Sequence, residues 1–376
     1  MVLRLFTLLV LPLLCFGCGG GGDASLSAQA QAPALPDSAA LRQKATELYT
    51  ESGAKAMLVT VRQGERDLLT LALGESMTGV PATTADRVRI GGVSELFWGT
   101  LVMRLVERGD IRLEDKVSRW LPDLFASDQV TLGMLLKNTA GYKDYVVDQE
   151  FVDATLADPF RAFSREEIIA YAVKDGELNF PAGTQSKYSH TEFSVMGLVI
   201  EKATGKSMGE LYQELIFEPA GLTQTHYMKD ARLPDPALHA FSSDRGVYED
   251  CTFWSPAWTG DSGPLTSTLA DLAKWAPIHG QGKLLTPQSY THLISRPDVP
   301  GQDSLYFASG FIVANGWFCQ NPSFNGFSGG YAYLPASDLT VIVYTTQSAD
   351  TSVDSRAFNV LKGLVAILTP ERPINF

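Results

Sequence analysis

Strand-like segments stand at both ends of this chain's foldable part, with a long helical stretch between them, and that order permits few architectures. Met57 to Val61 and Leu68 to Leu73 are β-rich runs separated by Gln63-Gly64-Glu65, the pattern of a hairpin. Gly310 to Ala314, Tyr331 to Leu334 and Leu339 to Thr345 repeat the signal near the C-terminus, and Pro335-Ala336-Ser337-Asp338 supplies a turn between the last two. In between, Val93, Leu96, Phe97, Leu101, Val102, Leu105 and Val106 fall at helical spacing and predict a helix stopped by Gly109. Further helices are expected over residues 38–51 and over Ser355 to Leu368. The expected fold class is α+β, an α/β sandwich. One antiparallel sheet is formed by both termini, with helices on its faces and a mostly helical lobe beside it. The junction of sheet and lobe is where a ligand cleft is expected.

The N-terminus reads separately. Met1 to Arg4 carries one positive charge, and Leu5 to Gly17 is an apolar run too short to span a membrane. It ends at Gly17-Cys18 before four glycines, which resembles a bacterial lipobox with Cys18 as the lipidated residue. Cys15 departs from that pattern, since an aliphatic residue is usual three places before the lipidated cysteine. Residues 1–17 are therefore expected to be a lipoprotein signal peptide and 18–37 a flexible tether with a mean span of ~25 Å. Residues 38–376 remain as one domain, held to a membrane through the lipid, in the bacterial envelope on the periplasmic or outer-membrane face.

A domain of that length needs no disulfide staple. Two cysteines remain in it, Cys251 and Cys319, which an oxidising compartment would allow to pair. The formal net charge of −12 comes without a lysine- or arginine-rich patch, so nucleic acid is not an expected partner. The five histidines show no ligand-type spacing, and neither a metal nor a cofactor is expected.

Four segments carry a resemblance. They are Arg89-Ile90-Gly91-Gly92-Val93-Ser94-Glu95-Leu96-Phe97, continued by Arg108-Gly109-Asp110; Val130-Thr131-Leu132 through Asn138-Thr139-Ala140-Gly141; Pro181-Ala182-Gly183-Thr184 to Tyr188-Ser189-His190, with Gly197 to Lys206; and Gly326-Phe327-Ser328 to Pro335. Together they resemble class C β-lactamases and low-molecular-weight D-alanyl-D-alanine peptidases over residues 55–365. The resemblance implies acyl transfer by a serine in an S-x-x-K motif. The lysine and the tyrosine of a Y-x-N motif manage its proton, and an H-x-G or K-T-G strand lines the substrate.

All three motifs depart from that pattern. The S-x-x-K slot reads Gly92-Val93-Ser94-Glu95, the Y-x-N slot Tyr188-Ser189-His190, and the third falls on Gln320-Asn321-Pro322. Of the family's catalytic side chains, Tyr188 alone is kept. Ser94 points about 200° away from the cleft face, and Ser52-Gly53-Ala54-Lys55 matches S-x-x-K in the wrong context, at a helix end before a strand.

Two readings of Glu95 stand side by side. With Gly92 as N-cap, Glu95 is the third helical residue, whose carboxylate can bond back to the N-cap amide. Alternatively it belongs to a rebuilt site. His190 likewise either fills the asparagine's place or serves as a base facing Tyr188 and Glu95. Two functions follow: a catalytically degenerate protein retaining a cleft for a peptidoglycan peptide, a β-lactam-like ligand or another small molecule, or an amide or ester hydrolase that activates water at Glu95 or His190.

Overall fold

The computed structural model describes residues 35–228, 230–301, 304–350 and 356–376. The signal peptide, Cys18 and nearly all of the tether lie outside these residues. Pro36–Phe376 forms one body.

Its main sheet joins the two ends of the chain. In chain order the strands are β1 (Ala56–Gln63), β2 (Arg66–Met77), β3 (Val80–Pro81), β4 (Leu305–Phe307), β5 (Ile312–Ala314), β6 (Trp317–Gln320), β7 (Ser323–Phe324), β8 (Phe327–Leu334) and β9 (Leu339–Thr346). Across the sheet they run β3-β2-β1-β9-β8-β6-β5-β4, with β7 paired to β8. The central seam is β1 against β9, antiparallel, with Ala56 opposite Thr346 and Gln63 opposite Leu339. The expected sheet from both termini is therefore present, with its strands extended beyond the apolar runs. Only the Gly310–Ala314 run is trimmed, since β5 begins at Ile312.

Every residue of β8 and β9 is buried. Helices cover both faces, so neither Tyr331-Ala332-Tyr333-Leu334 nor Val341-Ile342-Val343-Tyr344 alternates apolar with polar residues. Helices α1 (Ser38–Ser52) and α5 (Arg356–Leu368) pack together, and α5 lies on β8 and β9. Helix α4 (Leu269–Gly280) packs against β1, β8 and β9.

The helix anticipated from Val93 is α2 (Ser94–Arg108), ended by Gly109. It is buried almost all round, the mark of a central helix. Phe97 stacks on Trp275 of α4 at 4.2 Å between ring centroids. On another side Trp98 meets Phe193, which belongs to α3 (His190–Thr204) in the helical lobe, at 4.6 Å. Helix α2 therefore bridges sheet and lobe, and its N-terminal turn opens where they meet. Glycine makes the crossing with the β4–β5 connection possible. A Cβ on Gly99 would lie 2.0 Å from the Ser309 carbonyl oxygen, and one on Gly310 would lie 2.1 Å from that of Glu95.

Candidate functional site

The start of α2 differs from the expected cap. Gly91–Val93 forms a 3₁₀ turn that runs directly into the helix, so Gly92 lies within the turn and is not an N-cap. Glu95 does not bond back to the Gly92 amide. Its carboxylate, 1% exposed, accepts from the Tyr188 hydroxyl at 2.5 Å and from Gln320 Nε2 at 2.9 Å. The 3₁₀ turn removes the geometry a capping box requires, and two better donors face the carboxylate from the lobe and the sheet.

Gln320 ends β6 and also donates to the Gly310 carbonyl at 3.0 Å, which fixes its amide over the helix turn. A Cβ added at Gly92 would lie 3.2 Å from Gln320 Oε1 and 3.6 Å from Glu95 Oε1. Positions 92, 95, 188 and 320, drawn from three distant stretches of sequence, thus meet at one point. Ser94 is turned away from it: its buried hydroxyl accepts from the Leu265 amide at 3.2 Å.

His190 joins the group by ring contact. Its imidazole packs edge-on to Tyr188 with centroids 4.9 Å apart, while Nδ1 faces Asp144 Oδ2 at 2.9 Å. Its polar partner is thus Asp144, and Glu95 is reached only through Tyr188. The His190 side chain is 22% exposed. Nothing in the sequence around Asp144 marked it. It reaches the site because residues 138–144 are stitched to the start of α3. Asn138 Oδ1 accepts from the Ser189 amide at 2.9 Å, and the buried Glu192 carboxylate accepts from the amides of Ala140 and Gly141 at 3.2 and 3.0 Å. These bonds place Tyr188 and His190, and Asn138 belongs to a segment that the family resemblance had already marked.

Burial pushes the Glu95 carboxyl well above the ordinary carboxylate range, against the opposing pull of its bonds to Tyr188 and Gln320. Burial, with Glu95 beside it, likewise raises the Tyr188 phenol. A carboxyl whose folded pKa exceeds its unfolded value contributes stability that is full below the unfolded value, near 4.5, and lost as pH rises through the folded value. Glu95→Gln is therefore expected to gain stability over the wild type at pH 8 and to show no such gain at pH 4. Thermal melts at both pH values check this, and equal differences at the two would refute it.

Cys251 and Cys319 are free and separately buried, so the pairing allowed by the sequence is not formed; Cys251 Sγ instead donates to the Asn325 carbonyl at 3.1 Å. Among the described residues no group of three metal-ligating side chains comes together.

An antiparallel sheet closed by both termini, a central helix opening at the edge of a helical lobe, and motif positions converging there define the β-lactamase and transpeptidase class of fold. Comparison with known proteins agrees. The Beta-lactamase family profile matches residues 41–364, and the chain belongs to this family of serine hydrolases. It is 27% identical over 355 residues to Penicillin-binding protein 4 of Amycolatopsis lactamdurans, covering 87% of this chain and 89% of that one. A D-aminopeptidase of Cereibacter sphaeroides is 29% identical over 202 residues, 51% of this chain and 36% of the relative. Among solved structures, a D-stereospecific amidohydrolase from Streptomyces sp. superposes with a TM-score of 0.76 at 23% identity, covering 89% of this chain and 99% of the other. A penicillin-binding protein from Bacillus halodurans gives 0.72 at 21%, covering 86% and 98%.

Proposed function

We propose that this chain is a catalytically degenerate member of its family, a lipoprotein anchored through Cys18 in the cell envelope, that binds its ligand without acylation. The observation that carries this reading is the closed network at the nucleophile's place. Gly92 offers no side chain, and the neighbouring carboxylate has each of its oxygens engaged, one by Tyr188 and one by Gln320. A glycine cannot form an acyl-enzyme, and in a serine protease loss of the nucleophile costs about 10⁶ in turnover. The named activities of the relatives, penicillin binding and D-aminopeptidase among them, suggest the ligand: a D-configured peptide amide of peptidoglycan type, or a β-lactam of the same shape.

Incubation with a fluorescent penicillin, followed by intact-protein mass measurement, is expected to show no covalent adduct. An adduct on any residue overturns the reading.

One observation favours a second reading, a hydrolase with rebuilt chemistry. The Asp144–His190 pair has the geometry of a base oriented by a carboxylate, on a side chain partly open to solvent. Under that reading small esters or nitrocefin turn over without an adduct, and His190→Ala abolishes the turnover. Absence of turnover in the wild type removes it.

A further inference from the structure

The changes at positions 92, 95 and 320 act as one unit. The segment Gln320-Asn321-Pro322 comes close to the turn that leads α2 because residues 91 and 92 are both glycine. A Cβ on Gly91 would lie 2.8 Å from Pro322 Cβ, and one on Gly92 would lie 3.2 Å from Gln320 Oε1 and 3.7 Å from Gln320 Cδ. Gln320 is itself buried. Its carboxamide thus fills the space in front of residue 92 that a nucleophile's side chain would need.

Both ends of that carboxamide suit their surroundings. Nε2 donates to Glu95 Oε2 at 2.9 Å and to the Gly310 carbonyl at 3.0 Å, so the two N–H groups of a primary amide each meet an acceptor. The oxygen faces the turn that runs into α2, at the positive end of the helix dipole. A carboxylate would fit this place poorly, because both acceptors demand a donor and a carboxylate has none. Glu95 Oε2 accepts in either protonation state, since the Tyr188 hydroxyl bonds to the other oxygen. Asp144 acts on Glu95 through space and adds a second acid to the surroundings, while position 95 no longer carries the family's lysine. Both features disfavour an anionic ligand.

We propose that the Gln320 side chain is the resident occupant of the site and the gate to it. A ligand enters by exchanging its own terminal carboxamide for that of Gln320, and the site therefore selects amides over the corresponding acids. Exchange of like for like keeps both buried acceptors paired, so opening leaves no unsatisfied group behind. The binding function proposed above supplies only the ligand's identity, and of the two ligands named there the gate selects the peptide amide over the β-lactam, which carries a carboxylate.

The test uses the full chain, its Gln320→Ala variant and two pairs of probes at neutral pH: acetamide with acetate, and N-acetyl-D-alaninamide with N-acetyl-D-alanine. Thermal shift and calorimetry supply the readouts. Acetamide replaces the atoms that Gln320→Ala removes. It is expected to raise the melting temperature of the variant and to bind it at least about tenfold tighter than the wild type, the effect of one hydrogen bond to a charged group. Acetate is expected to do neither. N-acetyl-D-alaninamide is expected to bind the wild type about tenfold tighter than the free acid does, and to bind the variant more tightly still. Gln320→Ser, which keeps a hydroxyl donor for Glu95, serves if the alanine variant melts abnormally. Acetamide that acts on a folded variant no more than acetate does, or equally on variant and wild type, overturns the gate. So does a D-alaninamide affinity that opening position 320 leaves unchanged. If the variant takes up acetamide in preference to acetate while neither protein binds the D-alaninamide, the gate stands and the proposed ligand-binding function fails.

Discussion

A Gly92→Ser, Glu95→Lys double variant is expected to acquire slow covalent labelling by a fluorescent penicillin that the wild type lacks. The two positions lie three residues apart at the start of α2, so their side chains share one face. The Tyr188 hydroxyl, now 2.5 Å from Glu95, would meet the new lysine at the place where the family keeps its proton-managing pair. The serine Cβ would fall 3.2 Å from Gln320 Oε1, the end of a flexible side chain that can yield a few tenths of an ångström. Gly92→Ser alone would stand beside a buried carboxyl, without the lysine. It is expected to react about 10²–10⁴-fold more slowly, the usual contribution of a positioned acid or base. Adduct mass against time measures all three proteins. A double variant that melts normally yet forms no adduct would mean that the Gln320–Pro322 wall no longer admits a β-lactam.

Replacing Arg165 by methionine is expected to cost about 3–5 kcal/mol, lowering the melting temperature by on the order of 10 °C. Arg165 donates to both oxygens of Asp261 at 2.6 and 2.9 Å, to Glu201 at 2.7 Å and to the Tyr227 oxygen at 3.1 Å. Asp261 is wholly buried against α3 and fits only because residue 197 is glycine; a Cβ there would lie 2.1 Å from its carboxylate. Burial already holds the Asp261 carboxyl above its usual range, with Arg165 opposing. Without the guanidinium an uncompensated carboxylate remains inside, and the variant is expected to recover part of its loss as the pH falls and Asp261 takes up a proton. Arg165→Met combined with Asp261→Asn is expected to cost less than the sum of the single changes. Additive melts would show that the pair is not coupled.

Much of the architecture was legible in the chain because it rests on local pattern. The hairpin around Gly64, the helix stopped at Gly109 and the buried strand Leu339–Thr346 each follow from periodicity or turn chemistry. The motif resemblance also located Gly92, Glu95, Tyr188 and Gln320, and these four meet in space. The orientation of Glu95 was not legible. A glycine followed three residues later by glutamate reads as a cap when the helix is considered alone. The donors that claim the carboxylate lie 93 and 225 residues away along the chain, on a lobe helix's leading segment and on β6. Asp144 escaped for the same reason: an aspartate in a loop carries no local sign of the histidine that it will hold.

By itself, then, the sequence determined the fold class, the family and the absence of the serine and lysine, because each depends on residue identity and short-range spacing. Only the tertiary structure decided what occupies the vacated place. Burial removes water as a hydrogen-bond partner, so the Glu95 carboxyl must find donors within the protein. The approach of sheet and lobe brought it Tyr188 and Gln320.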